Sequence, residues 1–232
     1  MGLGAMRTRT DIAAYRSGVP LALVSDIHGN DVALAAVVAE LERLGIERVI
    51  CLGDVAQGGS EPAEVLDRLA TLGWPVILGN ADAFLLEIDP DSPETVTDAQ
   101  LEKREWTLAQ LSPAQLDQIR SFVPTLDVEV DGLTLRAFHG SPASYDDVVL
   151  PETPDSAVER IFGGSGVDLL AGGHTHLQWT RYVDGALYVN PGSVGLAYDR
   201  FDADVVPSAF AEYALVTGGS VEFRRTPWQS AS

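Results

Sequence analysis

Cysteine is nearly absent. Cys51 is the single one in 232 residues, so no intrachain disulfide can staple the fold, and a reducing, cytoplasmic setting is expected. Lysine is equally scarce, with Lys103 alone, and 15 Lys and Arg face 34 Asp and Glu for a formal net charge of −19. A chain that grips DNA or RNA must neutralise phosphates with basic side chains, so long nucleic acid is excluded as a partner. The same deficit removes a polybasic membrane anchor. No apolar run reaches the 18 residues or so of a membrane-spanning helix. Residues 1–18 lack the apolar core of a signal peptide and read as a flexible N-terminal extension, with Met6 an alternative start. Histidine is rare too: His28, His139, His174 and His176 are the only four in the chain.

What is present is apolar residue, 46% of the chain, enough to bury the core of one domain over 19–232. Leu21–Ser25 is a short apolar run that reads as a buried strand, with Asp26-Ile27-His28-Gly29-Asn30 after it as a loop. Val32 to Leu44 has helical spacing with Gly45 as its stop. Arg48–Leu52 reads as a second strand ending at Gly53-Asp54. Ser60-Glu61-Pro62 opens a helix that Gly73 closes. Val76–Leu78 reads as a third strand, ending at Gly79-Asn80-Ala81-Asp82. Strands alternating with helices indicate βαβ units. Thr97–Gln110 and Ser112–Phe122 then predict two amphipathic helices, a small helical cap inserted at about 83–123. Beyond Pro124 the pattern turns to β. Asp127–Val130 and Leu133–Phe138 form a hairpin across Asp131-Gly132, and Val167–Ala171, Thr180–Val183, Ala186–Val189, Tyr213–Val216 and Val221–Arg225 are further strands. This pattern implies two packed sheets flanked by helices.

The polar residues cluster at the ends of these apolar strands. Asp26 and His28 follow the first, Asp54 the second, Asn80 and Asp82 the third, His139 a later one, and His174 and His176 follow Val167–Ala171. Ligands of open α/β sheets bind outside the carboxyl ends of strands, and residues at i and i+2 of extended chain point the same way. Carboxylate, imidazole and amide oxygen together suit divalent ions of intermediate hardness, while the lack of thiolate disfavours a structural zinc site. Singly, each residue has a plainer reading. Asp26 or Asn30 would serve as a helix N-cap, Asn80 would do so for the next helix, and Asp82 would favour that helix's positive end. All four histidines falling at strand ends makes a joint role the better account.

Asp26-Ile27-His28, Gly53-Asp54, Gly79-Asn80-Ala81-Asp82, His139-Gly140 and Gly173-His174-Thr175-His176, in this order, resemble the motifs of the calcineurin-like metallophosphoesterases. Their compact spacing, and Asn190-Pro191-Gly192-Ser193 after them, is similar to the small bacterial and archaeal branch with phosphodiesterase activity. The resemblance implies a four-layer αββα sandwich of two mixed sheets flanked by helices. It implies one ion held by Asp26, His28 and His176, another by Asn80, His139 and His174, and Asp54 bridging the two. Mn²⁺ or Fe²⁺ are the expected ions and Zn²⁺ is admissible. A hydroxide between ions about 3.5–4 Å apart would attack phosphorus in line, with Asp54, Asn80 and His139 as the catalytic set and a small phosphoester as substrate. The neighbouring activities are phosphomonoester or protein phosphatase and dinucleoside polyphosphate hydrolase. A binding scaffold without catalysis, as in the related retromer subunit, is the alternative of another class. A metallo-β-lactamase-type site, which needs His-x-His-x-Asp-His, is excluded because Gln178 and Trp179 follow His174-Thr175-His176-Leu177 where that motif needs Asp and His.

One position departs from the family pattern. Where the family commonly carries a histidine that contacts substrate, this chain has Ala81, and all four histidines are already assigned as ligands. The consequence is modest turnover with a sharp dependence on leaving-group pKa. Asp82, Arg104, Tyr145 and Arg200 are the candidate substrate contacts, with Arg181 and the loop aromatic Tyr198 as further ones and a solvated surface role as the alternative for the arginines. Trp106, Leu108, Leu111, Leu116 and Ile119 read as packing of the inserted helices, and Cys51 as a buried apolar residue.

Overall fold

The computed structural model describes residues 18–88, 96–201 and 204–228. The N-terminal extension, apart from Gly18, lies outside the described residues. β1 (Leu21–Val24) is buried along its whole length, the mark of a strand covered on both faces. α1 (Asp31–Leu44) begins where Asn30 accepts the amide of Ala33 and stops at Gly45, whose φ of 69° needs no Cβ to be accommodated. β2 (Arg48–Cys51) and α2 (Pro62–Leu72) repeat the unit, with Gly73 left-handed at the end. The third apolar segment forms two isolated parallel bridges rather than a strand, Cys51 with Val76 and Ile77 with Val123. It turns at Gly79 into α3 (Asn80–Leu86) before a ladder can lengthen.

α4 (Asp98–Gln110) and α5 (Pro113–Arg120) start at reciprocal capping boxes, Thr97 with Gln100 and Ser112 with Gln115. Gln115 Nε2 donates to the Ala63 carbonyl and to Asp67, Gln118 Nε2 donates to the Leu66 carbonyl, and Ile119 is fully buried. The inserted helices therefore broaden the helical layer beside α2. β3 (Leu126–Val130) and β4 (Leu133–Ala137) form the expected hairpin, with Asp131 and Gly132 at φ 51° and 84° as a two-residue turn requires. α6 (Asp155–Phe162) has no counterpart in the sequence reading, because eight residues give the helical period little room to show. After it come β5 (Leu169–Ala171), β6 (Gln178–Val183), β7 (Ala186–Pro191), β8 (Tyr198–Phe201), β9 (Asp204–Pro207), β10 (Phe210–Thr217) and β11 (Ser220–Pro227).

One sheet has the order β11-β10-β1-β2 and the other β3-β4-β5-β7-β6, while β8 and β9 pair alone. Parallel and antiparallel pairs occur in both sheets, because the C-terminal hairpin returns to pair antiparallel with β1. Alternate residues sort the molecule into layers. Ala22 and Val24 pack with Leu34 and Val37 of α1 and with Leu66 of α2, whereas Leu21 and Leu23 meet Leu135, Leu169 and Val189 of the second sheet. On that sheet's other face Leu170 and Tyr188 pack against Val158 and Phe162 of α6. The result is the expected α-β-β-α stack. No helix among the described residues is long and apolar enough to cross a membrane.

Candidate metal centre

The exits of the central strands are stitched to one another before any side chain is considered. The Asp26 amide donates to the Gly53 carbonyl, that of His28 to Asp54, that of Gly173 to His139, and that of Gly195 to Asp26, at 2.8 to 3.0 Å. Asp26, His28, Asp54, His174 and His176 all have φ between 49° and 68°. The left-handed region costs a non-glycine residue free energy and concentrates at functional sites. The expectation from extended chain is thereby corrected. The paired ligands converge because each sits in a left-handed turn, not because a strand alternates.

Two clusters result, Asp26 with His28 and His176, and Asp54 with His139 and His174. Asp26 Oδ1 stands 3.2 Å from His176 Nε2 and 3.8 Å from His28 Nε2. Asp54 Oδ2 is 3.8 Å from His28 Nε2 and 3.4 Å from His139 Nε2, so it faces both clusters. Asn80 Oδ1 lies 3.1 Å from His139 Nε2 and joins the second. Each carboxylate spends its other oxygen on backbone, Asp26 Oδ2 accepting from the His174 amide at 3.1 Å and Asp54 Oδ1 from Ala81 at 2.8 Å. Asp26 is fully buried, and its Oδ1 accepts no hydrogen bond.

The imidazoles are set the same way. Nδ1 of His28, His139 and His176 lies 2.7, 2.7 and 3.0 Å from the carbonyls of Gln57, Leu52 and Leu196. A carbonyl only accepts, so each Nδ1 carries a hydrogen, and a ring in its neutral form turns an Nε2 lone pair inward. His28 and His176 thereby face one another nitrogen to nitrogen at 3.0 Å. Such a contact is repulsive between lone pairs and natural around a shared cation. The orphaned Asp26 oxygen points to the same requirement, and the donor set fits two divalent ions.

The electrostatics agree. Burial would lower His139, yet the Asp54 and Asp26 carboxylates lift it to about 10. Burial would raise Asp26, yet His176 and its fellow histidines hold it well below the usual carboxylate range. His28 and His174 are pushed down, chiefly by burial. The two buried carboxylates make a pocket that attracts positive charge.

The candidate substrate contacts fare differently. Asp82 is fully buried and accepts the amides of Asp54, Val55 and Gly79 at 2.7, 3.0 and 3.2 Å, so it holds the Asp54 turn and has no oxygen to offer a substrate. Burial and the charge of Asp54 push its carboxyl up to about 7, against the pull of the amides. Arg104 is turned to the Phe84 and Leu85 carbonyls and lies over the Phe84 ring, which ties α4 to α3. Tyr145 lines a cavity with His139. The backbone of Arg200 belongs to β8, and its side chain lies outside the described residues.

Three residues outside the expected donor set matter to the geometry. Asn190 Nδ2 donates to the Gly173 carbonyl at 2.6 Å and Ser193 Oγ to that of Asp26 at 2.7 Å, both from full burial. They fix the turns that carry His174, His176 and Asp26. The Tyr198 ring stacks on His176 with centroids 5.6 Å apart. The sequence signal for the first two was a polar pair embedded in an otherwise apolar strand exit.

Fold and donors together define an α/β sandwich with a candidate dinuclear metal centre. The chain belongs to the calcineurin-like phosphoesterase superfamily, whose domain model matches residues 20–209. It is 26% identical over 180 residues to the uncharacterized protein MJ0912 of Methanocaldococcus jannaschii, covering 78% of this chain and 72% of that one. Its fold is similar to that of hypothetical protein PH1004 from Pyrococcus horikoshii, with a TM-score of 0.79 at 22% identity over 90% of this chain and 88% of that one. A metallophosphoesterase from Sphaerobacter thermophilus shares the fold with a TM-score of 0.69 at 23% identity, over 92% and 90% of the two chains.

Proposed function

We propose that the protein hydrolyses phosphodiester bonds of small or nucleotide-like molecules with two divalent cations, Mn²⁺ or Fe²⁺ ahead of Zn²⁺. The observation that carries this reading is the position of Asp54, one carboxylate oxygen facing His28 of one cluster and His139 of the other. Asp26, His28 and His176 would hold one ion and Asn80, His139 and His174 the other, with Asp54 shared. When bound, the ions would lower the pKa of water and neutralise charge on the phosphoryl oxygens. The chain's own part is preorganisation. Three backbone carbonyls orient the rings through Nδ1, and Asp82, Asn190 and Ser193 hold the turns from behind, so little reorganisation remains to oppose the reaction.

A diester is preferred to a monoester on charge. A diester carries one negative charge and a monoester up to two, while the chain has a single lysine and Arg104 is committed to backbone. Chelation tests the reading. A metal-stripped sample should lose activity on bis(p-nitrophenyl) phosphate, regain it with Mn²⁺, and contain two ions per chain on reloading. Asp54→Ala should lose both ions together. Diesterase activity that persists with no metal by elemental analysis would defeat the proposal.

A further inference from the structure

We propose that two cavities flanking the metal centre are separate subsites for the two substituents of one phosphodiester, each taking an uncharged, ring-sized group. The inference rests on the diesterase reading above and adds how the substrate is divided. One cavity, of about 240 Å³, is lined by His28 together with Gly58, Ser60, Glu61, Leu196 and Trp228. The other, of about 300 Å³, is lined by His139 together with Pro124, Ser141, Ala143, Tyr145 and Asp146. His28 and His139 belong to different clusters, and both lie within 3.8 Å of the same Asp54 oxygen. A phosphoryl group held beside Asp54 therefore has one cavity on each flank. A monoester would fill only one.

Size and charge narrow the occupants. Sites that engulf a drug-sized ligand run to about 300–1,000 Å³, so each cavity suits one ring system. No Lys or Arg lines either cavity. In the first, Glu61 Oε2 already accepts the amides of Asp31 and Val32 at 3.0 and 3.3 Å, which closes the amide end of α1 to an anion. Trp228 adds an aromatic side chain to that cavity's lining. In the second, Asp146 repels negative charge. A substituent that extends as a phosphate chain would be repelled on both sides, which sets dinucleoside polyphosphates below simple diesters. A larger cavity, about 650 Å³ between α2 and α5, is lined by Trp74, Gln115 and Phe122 and by none of the seven donors, so volume alone does not mark the site.

Filling each cavity separately tests the assignment. Ser60 and Ala143 are exposed lining residues, so Ser60→Phe and Ala143→Phe should leave the fold intact, as a thermal melt would check; Ser60→Leu and Ala143→Leu replace any variant that melts early. The Mn²⁺-loaded proteins are compared on bis(p-nitrophenyl) phosphate and methyl p-nitrophenyl phosphate. Both variants should raise KM for the first by about tenfold or more. Only one should do so for the second, because its single ring must leave as p-nitrophenolate and so occupies a single cavity. An unchanged KM for the bis-aryl ester in either variant overturns the assignment, as does an equal rise for both esters in both variants. A parent protein that turns over neither ester defeats the diesterase reading instead.

Discussion

Asp82 offers the sharpest test of how the centre is built. Its carboxylate is fully buried and accepts three backbone amides, those of Asp54, Val55 and Gly79. Asp82→Ala strands those three donors. At about 1–3 kcal/mol for each unmade buried bond, with some relief from water entering the gap, the loss comes to roughly 3–6 kcal/mol. Since a domain holds only about 5–15 kcal/mol in total, this is a large share. Asp82→Asn keeps the volume and one accepting oxygen, and should fall between Ala and the parent. Urea unfolding of the metal-free proteins reads the stability. Chelator competition reads the ions, whose affinity should drop by about 10–100-fold in Asp82→Ala, as for other residues that orient a ligand from behind. A change of less than about 1 kcal/mol with ion affinity unaltered would refute the positioning role. A raised KM with stability intact would restore Asp82 as a substrate contact.

Gly79→Ala would set a Cβ 2.1 Å from Asp54 Oδ1 and 2.4 Å from the Asp54 amide. The carboxylate must move, at about 1–3 kcal/mol of overpacking, and elemental analysis should show both ions depleted; full two-ion content would refute the shared role of Asp54. In metal-free protein His139 is lifted from 6.5 to about 10 by the carboxylates around it. The folded state then binds a proton that the unfolded state releases, so this contribution is complete below pH 6.5 and is lost as pH rises through about 10. Urea midpoints in EDTA should fall across that window, and a flat profile would refute the assignment. The Cys51 thiol is fully buried and pushed up by that burial, so a thiol reagent should leave the native protein unlabelled and react promptly in denaturant; rapid native labelling would contradict the packing. Ala81→His should raise turnover of alkyl phosphodiesters more than of aryl ones, whose leaving groups need no proton, and an equal effect on both would sink the leaving-group argument.

The parts of this molecule legible in the sequence are those that depend on local pattern. Asn30, Gly45, Thr97, Ser112 and Asp131-Gly132 cap or turn the chain as their chemistry requires, and six of the seven candidate donors stand just past strand ends where apolar runs stop, while Asn80 opens α3 after the isolated bridges. What was not legible depends on distant partners. Val76 and Ile77 look like a strand, yet the amides around them are split between Cys51 and Val123 on opposite sides. Arg104 has the composition of a phosphate contact, and only tertiary packing shows it spent on the end of α3. Asp82 reads as a residue at a helix start, and nothing in its neighbours reveals that Asp54 and Val55, more than 25 positions away, are the groups it serves.

The left-handed turns at the candidate ligands explain why so much buried polar structure surrounds the centre. Of the seven non-glycine residues with positive φ among those described, five are ligand candidates and the other two, Asp131 and Asp184, sit in hairpin turns where neighbouring glycines share the geometry. A strained turn persists only where its surroundings determine it more strongly than its own preference. Asp82 behind Asp54, Ser193 behind Asp26, and Asn190 behind the His174 turn each contribute buried hydrogen bonds at such a position. Their partners are backbone groups, so they fix where the chain goes rather than which atoms it presents. The candidate ligands could then vary in type while the turns stayed in place, but loss of a supporting bond would relax the turn and move its donor out of the cluster. Variants of the support should therefore injure metal binding through geometry, with the donor side chains all still present.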